Sequence, residues 1–408
     1  MRIASINMIH TGSTGKIMLG IAECAREHNY EVHTFSPNIY YVRQKMDAPF
    51  IKDHSYFGFV KENMLHLALS QASGIFECFS WFGTRGLIRR LDQINPDIIH
   101  LHNLHNNSID VRSLFKYIKR KQIKVVWTLH DCWSMTGKCP HFTVAKCDKW
   151  KTGCHHCPVL REYPKTYLDQ TKLMWRMKKK WFTGVKDMVI VTPSEWLADI
   201  VKQSYLSDYP LKVINNGIDL SVFKPTYADV RQCYGIPTDK HIVLGVAPGW
   251  DNKKGLDVFL KLAERLQEQY QIVLVGTNET LDQILPKNIV SIHRTQNQHE
   301  LAELYTTATV FVNPTREENF PTVNIEALAC GTPVVTFETG GSPEIPDKTC
   351  GIVVPCNDVD DMQRAICRVC KDKTFSDAAC LKRARCFDKH DKFSEYIDLY
   401  KQIYAQGK

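Results

Sequence analysis

Short runs of β-branched and other apolar residues alternate with longer amphipathic segments along the whole chain. Parallel strands that are buried on both faces produce such apolar runs, and the amphipathic segments between them fit crossover helices. The alternation therefore predicts an α/β protein built from doubly wound parallel sheets. The predicted strands are Arg2–Met8, Glu31–Phe35, Asp97–Leu101, Ile123–Leu129, Met188–Thr192, His241–Ala247, Gln271–Val275, Val290–His293, Val310–Pro314 and Thr332–Phe337. The predicted helices include Lys16–His28, Ser108–Lys121, Glu195–Ser204, Leu256–Glu268, His299–Thr306 and Asp358–Cys370.

The length of 408 residues indicates two domains, because a single hydrophobic core rarely grows that large. We expect an N-terminal Rossmann-like domain over 1–210 and a C-terminal Rossmann-like domain over 211–385. A C-terminal helix over 386–408 is expected to pack back toward the first domain. A polar connector near 209–225 separates the two domains. Ligands of open α/β sheets bind beyond the carboxyl ends of the strands, so the cleft between two such domains is the expected site.

The composition is that of an ordinary globular protein, with 44% hydrophobic and 24% charged residues. No apolar run reaches the roughly 18 residues of a membrane span, and Met1–Ile9 reads as a strand without the features of a signal peptide. We therefore expect a cytoplasmic protein whose 15 cysteines are free thiols or metal ligands. The net charge is +8, and its basic excess is concentrated in Arg112–Lys124 and Lys172–Lys186. Such faces suit phosphorylated substrates, nucleic acid or an anionic membrane, or are merely solvated.

Two carboxylates, Glu318 and Glu326, stand eight residues apart around the expected start of a helix near Thr322. The first belongs to the loop before the helix, and the second lies about one turn inside it. Carboxylates accept hydrogen bonds from sugar hydroxyls, and a helix N-terminus attracts phosphate. Together they predict a ligand that is both a polyol and a phosphate, such as a nucleotide sugar. A surface glutamate followed by a capping glutamate would give the same pattern.

Two glycine-containing loops follow predicted strands and lead into helices, where a backbone can approach an anion. The first loop carries Gly12 and Gly15, and it is not a P-loop because His10 stands where the first glycine is required. The second loop carries Lys253 and Lys254, where a lysine point charge suits a diphosphate. Taken alone, the second loop could also be a solvated turn.

Histidines stand at the ends of two strands, at the expected ligand edge of the first sheet. His102 and His130 could orient a sugar hydroxyl or a phosphate, whereas His100 lies further back and fits a core position less exposed to a ligand. His130 together with Asp131 makes the better catalytic candidate. A core or capping role is the commoner outcome for histidines in general.

Four cysteines lie between residues 139 and 157 with the spacing Cys-x7-Cys-x6-Cys-x2-Cys. The closing Cys-x2-Cys pair and two upstream thiols could supply four tetrahedral ligands for a structural zinc ion. The alternative is free thiols in an irregular insert over 132–165, since the first spacing is longer than usual. The expected ligands are Cys139, Cys147, Cys154 and Cys157. The pair Cys367 and Cys370 falls inside a predicted helix and fits core packing instead.

These features together resemble the retaining GT-B glycosyltransferases of family four, over essentially the whole chain. The resemblance is carried by His100-Leu-His102, Val213-Ile-Asn-Asn-Gly-Ile-Asp219, Lys254-Gly255 and the block from Glu318 through Glu326-Ala-Leu-Ala-Cys-Gly-Thr-Pro. The segment from His130 through the four cysteines is similar to a branch associated with capsule, O-antigen and exopolysaccharide assembly in bacteria. The resemblance implies two Rossmann-like domains that face each other across a cleft.

The resemblance also implies roles for individual residues. Glu318 would hold hydroxyls of the donor sugar together with His130, Glu326 would hold the ribose, and Lys254 would stabilise the leaving diphosphate. His102 and Asp131 would lie on the acceptor side. Catalysis in this family generally needs no metal, because cations and helix dipoles stabilise the charge. Further donor contacts are expected from Gly12, Gly15, Lys253, Asn319, Phe320, Thr322 and Val323.

Two positions depart from the family pattern. Gly249 stands where the family has an arginine five residues before the lysine, so half of the expected cationic clamp is missing. Lys253 or Arg316 could take its place. Pro321 has no N–H to donate, so amide contacts to phosphate must come from the residues that follow it.

The sequence thus predicts a hexosyl- or N-acetylhexosaminyltransferase that moves a sugar from a nucleotide donor, by family tendency UDP, to a lipid-linked or oligosaccharide acceptor. The retaining step would be a front-face attack without a covalent intermediate. Peripheral contact with the inner membrane could involve Ile75–Phe82, although packing inside a domain is the more common role for such a stretch. The alternatives are an epimerase or hydrolase of the same fold, or a non-catalytic zinc-containing binding protein. No recognised motif indicates nucleic acid as a partner.

Overall fold

The computed structural model describes residues 1–38, 53–372 and 374–405. The chain divides into two compact units, one formed by Met1–Asn215 with Lys392–Lys408 and the other by Asn216–Asp391. We refer to them as unit 1 and unit 2. Their boundaries lie within six residues of the expected ones, and the last segment of the chain belongs to unit 1, with the N-terminal residues.

Unit 1 contains a seven-stranded, entirely parallel sheet in the order β3-β2-β1-β4-β5-β6-β7. Its strands are β1 (Arg2–Ile6), β2 (Glu31–Pro37), β3 (His54–Phe57), β4 (Ile98–Leu101), β5 (Lys124–Thr128), β6 (Met188–Thr192) and β7 (Leu211–Val213). Its helices are α1 (Gly12–Glu27), α2 (Val60–Ser73), α3 (Trp81–Ile94), α4 (Val111–Lys121), α5 (Thr171–Phe182) and α6 (Glu195–Lys202). The order reverses between β1 and β4, which is where a doubly wound sheet binds its ligand.

Unit 2 contains a six-stranded parallel sheet in the order β10-β9-β8-β11-β12-β13. Its strands are β8 (His241–Val246), β9 (Tyr270–Val275), β10 (Ile289–Ile292), β11 (Val310–Asn313), β12 (Val334–Phe337) and β13 (Gly351–Val354). Its helices are α7 (Val230–Cys233), α8 (Leu256–Arg265), α9 (Glu279–Asp282), α10 (Gln298–Thr307), α11 (Thr322–Ala329), α12 (Val359–Asp372) and α13 (Asp377–Arg385). A final helix, α14 (Lys389–Ala405), begins in unit 2 and continues into unit 1.

The prediction of doubly wound α/β units with parallel sheets is confirmed. Every predicted strand is present, with its ends within two residues of the predicted ones. The central strands are buried along their whole length, as in β9 and β11, because helices cover both faces of a parallel sheet. Several helices begin at side-chain caps, for example Asp110 before α4 and Asn297 before α10.

Helix α14 completes the core of unit 1. Phe393, Tyr396 and Tyr400 are buried in a cluster that also contains residues of β1 and α1. Gly20 leaves room for this contact, since a Cβ atom there would lie 2.3 Å from Cε2 of Phe393. Lys124 donates to the carbonyls of Ile403 at 2.6 Å and of Tyr404 at 3.1 Å, which satisfies groups that the helix end leaves unpaired. None of the helices in the described ranges is long and apolar enough to cross a bilayer.

Candidate functional site

Three loops of unit 2 meet at the carboxyl edge of its sheet, one after each of the strands β8, β11 and β12. Gly340, after β12, has φ of 56°, and a Cβ atom there would lie 1.8 Å from the carbonyl oxygen of Glu318. The amide of Gly341 donates to the carbonyl oxygen of Asn319 at 2.8 Å. Gly255, after β8, packs on Pro314 in the same way. Its φ is 79°, and a Cβ atom there would lie 2.5 Å from the carbonyl oxygen of Pro314. A larger residue at Gly255 or Gly340 would separate the loops, so these contacts fix the geometry of the edge.

The two predicted catalytic residues of unit 2 are brought together across 64 positions of sequence. Lys254 Nζ lies 2.9 Å from Glu318 Oε2, and both side chains are partly exposed, at 32% and 25%. The neighbouring pair repeats the arrangement, with 2.9 Å between Lys253 Nζ and Glu317 Oε2. A cation and a carboxylate in contact at a solvent-accessible edge can each exchange their partner for a ligand group of the same charge. This arrangement suits a ligand that offers both phosphate and hydroxyl groups.

The side chain of Arg316 is held by an ion pair with another residue of unit 2. Its guanidinium forms a two-pronged ion pair with Asp257 on α8, at 2.6 and 2.8 Å, and its backbone amide donates to the carbonyl of Lys253 at 2.8 Å. This hydrogen-bonded guanidinium lowers the pKa of the Asp257 carboxyl. Arg316 therefore holds the lysine loop against α8, which differs from the predicted possibility that it replaces an arginine at position 249.

Glu326 lies one turn inside α11, as predicted from the sequence. Its Oε2 accepts a hydrogen bond of 3.1 Å from the hydroxyl of Tyr305, which is fully buried on α10. Pro321 precedes α11 and supplies no side-chain cap, so the first amides of the helix, at Thr322 and Val323, have no partner from a cap. Asn319 and Phe320 lie in the same loop and are buried. The carboxylate and the helix N-terminus are therefore presented from one element.

Three polar atoms around these loops are buried without a hydrogen-bond partner in the described part of the chain. They are Nδ2 of Asn324, Oγ1 of Thr339 and Oγ of Ser342. Buried polar atoms are nearly always hydrogen-bonded, so these three atoms have the capacity to bond a ligand of these loops. Sequence reasoning missed all three residues, because asparagine, threonine and serine in a loop carry no distinctive pattern.

His130 and Asp131, the predicted catalytic candidates, form no hydrogen bond with each other in the described part of the chain. Asp131 instead accepts a hydrogen bond of 2.8 Å from Nε2 of His105 and one of 3.1 Å from the amide of the Asn103 side chain. Burial acts to raise the pKa of Asp131, but the contacts with His105 and other donors hold it at about 2. Asp131 and His130 lie in a bend after β5 and have different hydrogen-bond partners. His105 is a site residue that the sequence analysis did not identify, although it lies only three positions after His102.

His130 instead contacts His102, with 3.1 Å between His130 Nε2 and His102 Nδ1. Burial lowers the pKa of His130 to about 4 and that of His102 well below its usual value, so both rings are neutral at pH 7. His100 lies entirely in the core, between the hydroxyls of Tyr400 at 2.6 Å and Thr128 at 2.8 Å. His100 therefore occupies the core position expected for it, while His102 is also buried and His130 is partly exposed.

The first glycine-containing loop forms the start of α1, with Gly12 as its first residue. Thr11 precedes the helix and forms no side-chain cap. A Cβ atom at Gly15 would lie 2.3 Å from the carbonyl carbon of His10, so packing within the chain accounts for this glycine. The predicted ligand contact at Gly12 and Gly15 therefore depends on the helix N-terminus rather than on the second glycine.

Acid is expected to destabilise the protein through its buried histidines. Burial lowers the pKa of His54 and His130 to about 4, and that of His66 and His100 to about 3. The unfolded chain takes up protons on these groups below about pH 6.5, whereas the folded chain does not until the pH approaches 4. The free energy of unfolding should therefore be highest above pH 6.5 and fall by on the order of 1–2 kcal/mol per histidine by pH 5. Urea unfolding at pH 7 and pH 5 measures the difference.

Glu77 has the opposite effect on the free energy of unfolding, because burial raises its pKa to about 7. Acid therefore stabilises the fold through Glu77 and offsets part of the stability that the histidines lose. The substitution His100→Gln should reduce the difference in unfolding free energy between pH 7 and pH 5. The substitution His299→Gln, at an exposed position, should leave this difference unchanged. Equal urea midpoints at pH 5 and pH 7 for the unsubstituted protein would contradict the prediction.

Comparisons with known proteins agree with this architecture. Residues 15–222 match the family described as Glycosyltransferase Family 4, and residues 240–372 match Glycosyl transferases group 1. The putative colanic acid biosynthesis glycosyl transferase WcaC of Escherichia coli K12 is 25% identical over 322 residues, which cover 76% of this chain and 77% of WcaC.

Solved structures show the same fold at low sequence identity. Sucrose-phosphate synthase from Thermosynechococcus elongatus has a TM-score of 0.72 at 18% identity, with 99% of each chain covered. Anabaena Alr3699/HepE, in complex with UDP and with UDP-glucose, has a TM-score of 0.70 at 15% and 13% identity, covering 98% of this chain and 100% of its own. The match to the family extends over more than half of the chain. The protein therefore belongs to glycosyltransferase family 4 and is a glycosyltransferase with the GT-B fold.

Proposed function

We propose that this enzyme transfers a sugar from a UDP-sugar to a lipid-linked precursor of a bacterial surface polysaccharide, on the cytoplasmic side of the membrane and with retention of configuration. The observation that carries the proposal is the Lys254–Glu318 pair of 2.9 Å beside the uncapped start of α11. UDP is supported by the Alr3699/HepE complexes, and polysaccharide assembly by the relationship to WcaC.

Different residues of unit 2 would bind different parts of the nucleotide-sugar donor. Lys254 and the amides at the start of α11 would bind the diphosphate, where the helix dipole adds to the ammonium charge. Glu326 would accept hydrogen bonds from the ribose hydroxyls, with its carboxylate oriented by Tyr305. When the diphosphate takes over the ammonium of Lys254, the carboxylate of Glu318 becomes available to hydroxyls of the sugar. The ion pair therefore keeps both groups in place until the donor arrives.

The chemical step is a substitution at the anomeric carbon on the face that the diphosphate leaves. The bond from the anomeric carbon to the phosphate oxygen breaks as the acceptor oxygen bonds to that carbon. The acceptor proton passes to an oxygen of the leaving diphosphate. Lys254 stabilises the charge that develops on the diphosphate, which is where preorganised cations contribute most. In unit 1, the neutral imidazole of His130 would exchange a hydrogen bond with a sugar hydroxyl, since its pKa of about 4 excludes a cationic role at pH 7.

A calorimetric screen of UDP-, GDP- and ADP-sugars tests the donor. We expect a UDP-sugar to bind, and its UDP to be released faster when lipid extract from polysaccharide-producing bacteria supplies the acceptor. Binding of none of these nucleotide sugars would refute the proposal. Release of UDP at a rate independent of the extract would indicate a hydrolase instead.

Helix α2 supports the proposed approach of a lipid-linked acceptor, because its exposed face is apolar. It buries Asn63, His66 and Ser70 and exposes apolar side chains, among them Met64 at 63% and Leu65 at 59%. The start of α3 lies beside it, since Glu62 accepts hydrogen bonds from the amides of Phe82 and Gly83. The membrane-facing surface proposed here consists of Phe59, Met64, Leu65, Leu67, Trp81 and Phe82, all exposed.

Basic residues accompany this apolar surface. Lys61 on α2 and Arg85, Arg89 and Arg90 on α3 are exposed. Apolar side chains inserted at the headgroup level together with basic residues favour anionic lipid. The surface is thus proposed to hold the enzyme on an anionic bilayer that carries the acceptor.

Sedimentation with vesicles tests the membrane contact. The protein should bind vesicles that contain phosphatidylglycerol more strongly than vesicles of phosphatidylcholine alone. The double variant Leu65→Ser with Phe82→Ser should lose most of this binding, whereas Ile284→Ser, which removes an equally exposed apolar residue from unit 2, should retain it. Equal loss in both variants, or no vesicle binding at all, would refute the contact.

Introducing the missing arginine provides a test of the phosphate site. A Cβ atom at Gly249 would meet nothing within 4 Å, and the backbone there is not left-handed, so Gly249→Arg should be tolerated. A charge-assisted hydrogen bond to the diphosphate is worth about 1.5–3 kcal/mol, so the affinity for UDP should rise by about tenfold or more. Calorimetry with UDP measures the change, and uridine serves as the control because it has no phosphate. An equal gain for uridine would contradict the explanation.

A further inference from the structure

The four cysteines of the insert line one small cavity in unit 1. The cavity has a volume of about 20 Å³ and is also lined by Phe142, Pro158 and Thr171. The thiols reach it from separate parts of the insert, and each is partly buried. A space of this size holds a single small atom or ion and nothing larger.

A backbone amide is directed at one of the sulfur atoms. The amide of Gly137 donates to Sγ of Cys154 at 3.1 Å. Gly137 permits this approach, because a Cβ atom there would lie 2.9 Å from Cβ of Cys154. Thiolates that bind a metal ion commonly accept hydrogen bonds from nearby backbone amides.

Two fully buried lysines lie next to the cluster. Lys138 Nζ donates to the carbonyls of Val159, Leu160 and Glu162 at 2.8–3.0 Å, so it ties down the segment that follows Cys157. Lys178 Nζ donates to the carbonyls of Trp133 and Thr136 and lies 3.7 Å from the centre of the Trp133 ring. These carbonyl contacts fix the segment that precedes Cys139 and the segment that follows Cys157.

The thiols do not yet converge. In the described ranges no group of three or more His, Cys, Asp or Glu side chains is arranged so that it could hold a metal ion. Each cysteine has a single side-chain torsion that directs its sulfur, and all four border the same cavity. Rotation of these torsions toward the cavity is the change that metal binding requires.

We propose that Cys139, Cys147, Cys154 and Cys157 bind one Zn²⁺ ion tetrahedrally. Four thiols lose their protons to solvent, four Zn–S bonds form, and no oxidation or reduction takes place. Four sulfur ligands leave no open position, so the ion is structural rather than catalytic. Zinc would link four positions of the insert, and the first residues of the insert bond Asp131 through the amide of Trp133. The metal is thus expected to stabilise the part of unit 1 that carries the acceptor-side residues.

Metal analysis of the full chain, purified without a polyhistidine tag, tests the proposal first. We expect about one zinc per chain, in line with one four-cysteine site. Titration with an organomercurial reagent should release the zinc in step with the reaction of four thiols. Cobalt exchanged for zinc should give the visible absorption of a tetrahedral cobalt thiolate. Zinc far below one per chain would overturn the proposal without any variant being needed.

Variants then locate the ion. Cys154→Ser and Cys157→Ser should each lose most of the zinc, and Cys367→Ser should keep it. Cys367 is a matched control, because it belongs to the other Cys-x2-Cys pair, on α12 in unit 2. Full zinc retention in both insert variants would refute the assignment. If an insert variant fails to fold, the thiol titration of the unsubstituted chain still decides, because release of zinc without loss of four thiols contradicts the four-cysteine site.

Discussion

Replacing Lys254 with alanine is expected to slow UDP release from the donor sugar by about 10²- to 10³-fold, because removal of one preorganised group from the developing charge has effects of this size. The affinity for UDP should fall less, since the amides of α11 still bind phosphate. The variant also leaves the carboxylate of Glu318 without its partner at 2.9 Å, which adds repulsion toward the diphosphate. A coupled assay for UDP, with calorimetry for binding, separates the two effects.

The control for this variant is Lys287→Ala. Lys287 is exposed and precedes β10, so it lies at the amino edge of the same sheet, opposite the loops of the site. It changes the net charge of the protein by the same amount but should leave UDP release unchanged. Lys254→Arg should recover part of the rate, since it restores charge without the geometry of an ammonium group. Equal rates in Lys254→Ala and the unsubstituted enzyme would exclude Lys254 from the chemical step.

Replacing Glu326 with glutamine should weaken UDP binding by about 10- to 100-fold, because hydrogen bonds to a charged group are worth about 1.5–3 kcal/mol. The proposed partners are the ribose hydroxyls, so the loss should disappear when the ligand is 2′,3′-dideoxyuridine diphosphate. Calorimetry with both nucleotides forms a double-mutant cycle between the carboxylate and the hydroxyls. An equal loss for the two ligands would show that Glu326 acts only on the structure of α11.

Tyr305→Phe provides the companion measurement. Its hydroxyl contacts Oε2 of Glu326 at 3.1 Å and should only orient the carboxylate. A loss of a few-fold is therefore expected, well below that of Glu326→Gln, because the carboxylate itself remains. A loss as large as that of Glu326→Gln would mean that the orientation of the carboxylate decides ribose binding.

The sequence predicted most of the fold because strands buried on both faces must be apolar throughout. The strands that it missed are short or polar and lie at sheet edges, as β3 with the sequence His-Ser-Tyr-Phe and the three-residue β7 show. Helix α2 was missed for a different reason. Its apolar residues are on the exposed face and polar ones are buried, so its pattern does not point to a core. Ile75–Phe82 is likewise divided, with Phe76 buried and Phe82 exposed.

The candidate site was predictable where a residue follows a strand. Lys254 and Glu318 follow β8 and β11, which are neighbours in the sheet, so their loops must meet. Side-chain partners were less predictable, because they depend on direction as well as on position. The pairing of Asp131 with His105 and the binding of Arg316 to Asp257 both depend on contacts between segments that sequence spacing alone does not specify.

The docking of α14 in unit 1 has a consequence for how the chain is made. The hydroxyl of Tyr400 bonds His100 at 2.6 Å, and that of Tyr396 bonds Thr128 at 3.2 Å, so residues that are synthesised after unit 2 complete the core of unit 1. At about 5–20 residues per second, translation of all of unit 2 takes on the order of ten seconds or longer. During that time the residues of unit 1 that pack against Phe393, Tyr396 and Tyr400 remain uncovered. Removal of α14 should therefore cause unit 1 to unfold or aggregate, although most of unit 1 precedes unit 2 in the sequence.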